Sequence, residues 1–447
     1  MGVATKDRLG IVRALIETAP DAAVRDLETA LRGETQGPLS AVRAMVRAEM
    51  SDRGVRNVVV GPILPLCTPR ADGFKQALFP AGVMPRLWKA MRLIEPTAVT
   101  VVASYLTLGA DDQYPSQCDD LCHSAARALR NGAPDMEPVI RFLEDFRTGA
   151  ATQFAGYLEL TPLARVAITR LPAWLRNMTE EHAAAVRLLF KDADDIAADA
   201  SPRLLEILLG HLAEPWVLMR LVSAITNHAG DRYLSSSELA EFCERVLADV
   251  ERHVNAIRAM DYDGGPEAGA AAGAALAVAI TEMLEFEACL ELDKEGPWGV
   301  RLNRTKGSLS NLVEGYLKKC PKLTGEALPM QPVRLGGTII RTEPRLDETP
   351  DPRLVRRAMA SLTFFDRCRT FASQGGYGTV RAKTCEETTH GLDSYVEDIL
   401  SMIHSGDVPD MDHARAFLEV AAEFMKLVQD EKSAQIVRRR AAAAQAA

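Results

Sequence analysis

The chain has 447 residues, of which 47% are hydrophobic and 25% charged, and this composition excludes an intrinsically disordered protein. Its length is too great for one ordinary core, so we expect two or three domains or an extended repeat array. Acidic residues outnumber basic residues by 61 to 52, and the net charge of −9 disfavours broad nucleic-acid binding, which needs clustered positive charge.

Helix-favouring residues dominate the composition. Ala, Leu and Arg are abundant and β-branched runs are few, which predicts an all-α, multi-helical and partly solenoid-like fold. Arg outnumbers Lys, which suits a GC-rich bacterial genome. The N-terminus resembles no secretion signal, and the longest apolar stretch, 269–280, is too short to cross a bilayer. We therefore expect a cytoplasmic protein.

Residues 1–150 are predicted to form an N-terminal helical region. Helical patterns starting at Lys6 and Asp21 indicate a hairpin, and a third helix follows from Pro38. Residues 95–108 continue the helical pattern, although their β-branched content leaves room for a buried strand.

Residues 151–320 are predicted to form a helical-repeat-like region. Thr161 and Ser201 are each followed by proline, the pair expected at a helix N-cap and first turn. Each predicted helix is followed by a second one, so a helix pair repeats as in helical solenoids. His211 stands at the edge of an apolar helix face, just before a turn, and is predicted to be a packed side chain.

The second helix of the later pair carries a pattern of known type. An acidic residue and a proline precede a valine, an arginine and a small residue: Glu214, Pro215, Val217, Arg220 and Ala224. This pattern is similar to that of HEAT-type repeats, although Arg220 stands two residues later than usual. The resemblance covers about residues 161–230 and implies a curved scaffold for protein partners.

A basic segment with a tryptophan follows within 294–310. Gly and Pro bound it, and a helix is expected to start only near Ser308 or Ser310. An exposed tryptophan with arginines is typical of interface hot spots, and a helix start favours anions. We therefore select four residues as a candidate partner- or anion-binding site: Trp298, Arg301, Arg304 and Lys306. The alternative is a tryptophan packed in the core beside solvated basic neighbours.

Residues 321–352 are predicted to be a linker, because they are rich in Pro, Gly and charge. A C-terminal helical unit is predicted over 353–447. Its first helix is expected to use Asp351 as its cap and Pro352 at its first position.

The sequence contains no local catalytic motif, so we predict no catalytic residues, no metal ion and no cofactor. Cys118 and Cys122 lie one helical turn apart, but no second cysteine pair completes a zinc site, so packed thiols are favoured. We predict a non-enzymatic helical scaffold or regulatory adaptor that binds a protein partner, acidic or phosphorylated if the basic segment recognises it. Self-association stays open, and the alternative is an all-α enzyme or small-ligand receptor.

Overall fold

The computed structural model describes residues 10–446 except 14, 18, 35, 77–78, 109–113, 227–229 and 336–337. Helices make up most of the described chain, together with one two-stranded sheet, which confirms the predicted all-α, multi-helical class. The chain divides into two compact units, residues 1–228 and 229–447. The sequence-predicted divisions after residues 150 and 320 fall inside these units.

The described residues of the first unit form helices joined by turns and loops, with no strand among them. Its helices, which we number in chain order, are α1 Asp21–Ala30, α2 Pro38–Val60, α3 Val83–Ile94, α4 Pro96–Leu108, α5 Gln117–Arg130, α6 Glu137–Phe146, α7 Ala150–Arg176, α8 Glu180–Ile196, α9 Ala200–Leu209 and α10 Leu218–Ile225. Helix α7 packs against α5, α6, α8 and α9 and supplies much of the core. Cys118 and Cys122 of α5 are fully buried, as the spacing predicts.

The long helix α7 corrects one prediction from the sequence. Thr161 lies in its interior, where the hydroxyl donates to the Tyr157 carbonyl at 3.0 Å and the side chain is fully buried. The N-cap prediction was wrong because apolar residues are buried on both sides of Thr161 and hold one helix continuous through Pro162. Packing of this kind outweighs a local cap signal and the disfavoured interior proline.

Helix α9 has its start and its end near the positions that the sequence predicts. This helix begins at Ala200, so Ser201 lies in its first turn and does not cap it. His211 lies in the turn that follows α9, and its Nε2 is 2.8 Å from the Pro62 carbonyl oxygen. Burial lowers the pKa of His211, which favours the neutral ring as the donor to that carbonyl. The prediction of a packed histidine is confirmed, whereas the HEAT-like repeat over 161–230 stays a prediction.

The second unit combines helices with a hairpin. Its elements are α11 Asp231–Leu234, α12 Ala240–Arg258, α13 Pro266–Cys289, α14 Pro297–Leu317, α15 Cys320–Ala327, β1 Met330–Leu335, β2 Thr338–Pro344, α16 Pro352–Arg367, α17 Gly378–Ser405, α18 Met411–Val428 and α19 Glu431–Ala446. Strands β1 and β2 pair antiparallel, from Met330 opposite Pro344 to Leu335 opposite Thr338.

The segment 321–352 has more regular structure than its composition predicts. It begins inside α15, continues as the β1–β2 hairpin, contains the fully buried Leu346 and ends at Pro352, the first residue of α16. A linker was predicted from Pro, Gly and charge, but the β-branched run 338–340 favours a strand that pairs with its neighbour. The start of α16 is predicted correctly. Asp351 is its N-cap and accepts a hydrogen bond from the Arg353 amide at 2.8 Å, and Pro352 is its first residue.

Two glycines allow helices α13 and α16 to cross at short range. A Cβ atom added at Gly269 would lie 2.2 Å from the Ala360 carbonyl oxygen, and one added at Gly273 would lie 2.4 Å from the Arg367 Cβ. Any larger side chain at these positions would separate the backbones. The small-residue composition of 269–280 therefore reflects a close helix crossing.

The same helix is also the most apolar long helix among the described residues. By length and composition, α13 could cross a membrane, and 56% of its most apolar stretch is buried inside the structure. The apolar stretch 269–280 on its own was judged too short for this, but the helix extends beyond it at both ends.

Candidate functional site

The four basic-segment residues selected from the sequence lie on a helix and not in a loop. Helix α14 starts at Pro297, well before Ser308. The loop prediction was wrong because Trp298, Leu302 and Leu309 recur at helical spacing and are all buried. Gly296 and Pro297 are the signal that opens this helix, with proline in the first turn.

Trp298 is a core residue of the second unit. Its side chain is 1% exposed, and its ring packs edge-on against Phe286 with 6.0 Å between centroids. The indole Nε1 donates a hydrogen bond to Glu244 Oε1 at 2.6 Å. The structure therefore shows the packed alternative for this tryptophan.

Arg301 is held by two carboxylates of helix α12. Its Nε and Nη2 donate to the two oxygens of Glu251 at 2.7 and 2.9 Å, and its Nη1 donates to Glu244 at 2.5 Å. The hydrogen bonds from Arg301 hold the pKa of Glu251 below its ordinary value. This planar, two-pronged geometry is the strong form of an arginine–carboxylate pair.

The remaining two residues differ from each other. Lys306 pairs with Glu287 of α13, with 2.5 Å between Nζ and Oε2, whereas Arg304 is exposed. The positive charges of Lys306 and Arg301 are thus compensated within the second unit. Arg304 contributes the exposed positive charge of this set.

A buried cluster of ionisable groups joins helices α12 and α13. The ligand atoms of Asp249, His253 and Glu282 lie within 4.8 Å of one another, and this set could hold a metal ion by geometry. Asp249 and Glu282 are 7% and 0% exposed. The guanidinium of Arg252, 2.6 Å from Asp249, already supplies a compensating positive charge. The charge of Asp249 is therefore compensated by a group of the protein itself.

The pKa of Asp249 is lowered by its neighbours in this cluster. Burial raises the pKa of Asp249, but hydrogen bonds from His253, Glu282 and Arg252 outweigh it and hold the pKa below its ordinary value. Asp249 therefore stays ionised to a lower pH than an ordinary aspartate.

Helix α4 in the first unit has an unusual surface. None of its residues, 96–108, is charged, yet only Val102 among those whose burial is described is fully buried. Val101 and Leu106 are 41% and 39% exposed, and Leu93, just before the helix, is 61% exposed. A helix without charge normally lies in a core, and an exposed apolar face marks an interaction surface more often than a solvated one.

Three hydroxyl groups of α4 bond within the helix. Thr100, Ser104 and Thr107 each donate to the backbone carbonyl four residues earlier, at 2.9 Å in every case. The hydrogens of these hydroxyls are thus used inside the helix. We define the α4 face as the exposed side chains of this helix.

Sequence reasoning overlooked both the α4 face and the buried cluster. For α4 a signal was present, because 96–108 lacks charge, but its β-branched residues also suited a buried strand. For the cluster only the four-residue spacing of Asp249 and His253 was visible, and Glu282 comes from another helix. Proximity between helices cannot be derived from one sequence.

Comparisons with protein-family models, with curated protein sequences and with solved structures give no match to this chain.

Proposed function

We propose that this chain is a non-enzymatic helical scaffold or adaptor that binds a protein partner through the α4 face. The observation that carries this proposal is the combination of exposure and absence of charge over Pro96–Leu108. A helix of this length offers a contact about 20 Å long, which suits packing against a helix of the partner.

The chemistry of the face defines the partner. Because it has no charged side chain and three of its hydroxyls bond internally, we expect the matching surface to be uncharged and mainly apolar. Burial of such a face is stabilised mainly by the hydrophobic effect, at about 25 cal/mol per Å² of apolar area. Binding through this face is therefore expected to depend little on salt concentration.

The test compares the full chain with a Val101→Glu/Leu106→Glu variant and a Leu188→Glu control. Leu188 lies on α8 of the same unit and is 60% exposed, so it controls for a charge placed on an exposed apolar residue. All three proteins are expected to have melting temperatures close to one another, because exposed substitutions change stability by only about 0.5 kcal/mol.

Each protein is immobilised and exposed to a lysate of its natural host, bound proteins are quantified, and self-association is measured by light scattering. We expect a bound protein that the wild type and Leu188→Glu retain and that the α4 variant loses. Equal binding and equal mass for all three would contradict the proposal. Lipid-vesicle binding that the α4 variant alone loses would also contradict it, because the face would then contact lipid.

A further inference from the structure

A groove in the second unit has the dimensions of a small-molecule site. It lies between α15, the start of β1 and α17, and its volume is about 350 Å³. Ligand pockets in proteins begin at about 300 Å³ and are mainly apolar with a few polar groups. The groove is in a different unit from the α4 face and is argued independently of the proposed function.

One face of α17 forms the wall of the groove. Thr388, Leu392 and Tyr395 all line it, and all three are buried. Their spacing of four and then three residues places them in a row along the helix. Thr388 and Tyr395 are about 10 Å apart along the helix axis, with Leu392 between them. The wall therefore alternates polar, apolar and polar.

The two hydroxyl groups in this row lack the hydrogen bonds that such groups normally make. Thr388 and Tyr395 are 3% and 4% exposed, and neither hydroxyl has a hydrogen-bond partner among the described residues. A buried hydroxyl without a partner destabilises the fold. The opposite wall shows the ordinary arrangement, because the Thr324 hydroxyl donates to the Cys320 carbonyl at 2.8 Å.

The remaining lining leaves space and favours an uncharged ligand. Gly325 and Gly391 face the groove from α15 and α17, and a Cβ atom added at either would meet no other atom within 4 Å. The ionisable lining residues, Glu387 and His390, are both exposed, and Glu387 pairs with Lys383 at 3.6 Å. A charged group of a ligand inside the groove would therefore lose its hydration without meeting a buried counter-charge, which favours an uncharged ligand.

We propose that this groove binds a small uncharged organic molecule with an apolar body and an oxygen atom near each end. The body contacts Leu392 and Leu328, and the two oxygens form hydrogen bonds with the Thr388 and Tyr395 hydroxyls. These contacts give both buried hydroxyl groups a hydrogen-bond partner at once. They account for a threonine at 388 and a tyrosine at 395, where valine and phenylalanine have the same shape without a hydroxyl group.

The probe is an eight-carbon α,ω-diol, whose extended length is close to the rise of about 10 Å between Thr388 and Tyr395 along the helix axis. The eight-carbon α,ω-dicarboxylate serves as the charged comparison. Binding of each to the full chain is measured by saturation-transfer NMR and titration. We expect the diol to bind and the dicarboxylate to give no signal.

Two variants keep the test specific. Thr388→Val/Tyr395→Phe keeps side-chain shape, so we expect no fall in melting temperature but about tenfold weaker diol binding. Gly391→Phe should abolish binding, because the new side chain fills the groove. The helix is expected to tolerate this change, because a Cβ atom at Gly391 meets no other atom within 4 Å. Absence of diol binding to the wild type, or equal binding to either variant, would overturn the proposal. A fall in melting temperature for Thr388→Val/Tyr395→Phe would overturn it too, because the hydroxyls would then be structural.

Discussion

Replacing Gly269 with alanine tests whether the close crossing of α13 and α16 holds the second unit together. The added Cβ would lie 2.2 Å from the Ala360 carbonyl oxygen and 3.1 Å from the Phe364 amide nitrogen. Both are backbone atoms, so neither can rotate away. Because carbon and oxygen atoms in close contact stay about 3.3 Å apart, the two helices must separate by about 1 Å.

The magnitude follows from two opposing effects. Overpacking of a core contact costs about 1–3 kcal/mol, whereas alanine favours a helix interior over glycine by about 1 kcal/mol. We therefore expect a net loss of up to about 2 kcal/mol. For a unit of this size, that lowers the melting temperature by up to roughly 8 °C.

Gly315→Ala is the matched control. Gly315 lies in α14, is exposed, and would place its Cβ in open space. This variant should gain stability by up to about 1 kcal/mol, from helix propensity alone. Thermal unfolding followed by circular dichroism compares the two. If both variants shift the melting temperature in the same direction, the close crossing does not contribute to stability.

Two further substitutions probe the second unit. Trp298→Ala should destabilise it by about 3–5 kcal/mol in urea unfolding, because the indole is buried. Arg304→Ala, at an exposed position, should change the stability by no more than about 0.5 kcal/mol. A loss below about 1 kcal/mol for Trp298→Ala would refute its core role. Asp249 has a lowered pKa in the folded protein, so its stabilisation is present above its unfolded pKa of about 3.9 and is lost as the pH falls through its folded value. Asp249→Asn should therefore lose less stability than the wild type between about pH 5 and pH 2. The exposed Asp407→Asn variant is the control. If the free energy of unfolding of the wild type and of Asp249→Asn depended on pH in the same way, that would contradict the ion network.

Local signals in the sequence predict local structure well where no distant packing opposes them. The cap at Asp351 is correct because its oxygen and the Arg353 amide are two residues apart. Thr161 carries the same kind of signal, but the buried residues around it belong to one long helix. The sequence predicts a loop at Trp298 because Gly and Pro bound its segment, but the decisive contacts, with Glu244 and Phe286, come from other helices. The buried cluster and the groove likewise depend on which helices become neighbours.

The position of Trp298 gives the protein an optical reporter. Of the four tryptophans, Trp88, Trp174 and Trp216 belong to the first unit, and Trp298 belongs to the second. With the first three replaced by phenylalanine, all indole emission comes from one buried site in residues 229–447. The emission maximum then shifts to longer wavelength only when the surroundings of that indole open to water. The unfolding of the second unit can be timed in this way in the intact chain, without an attached dye.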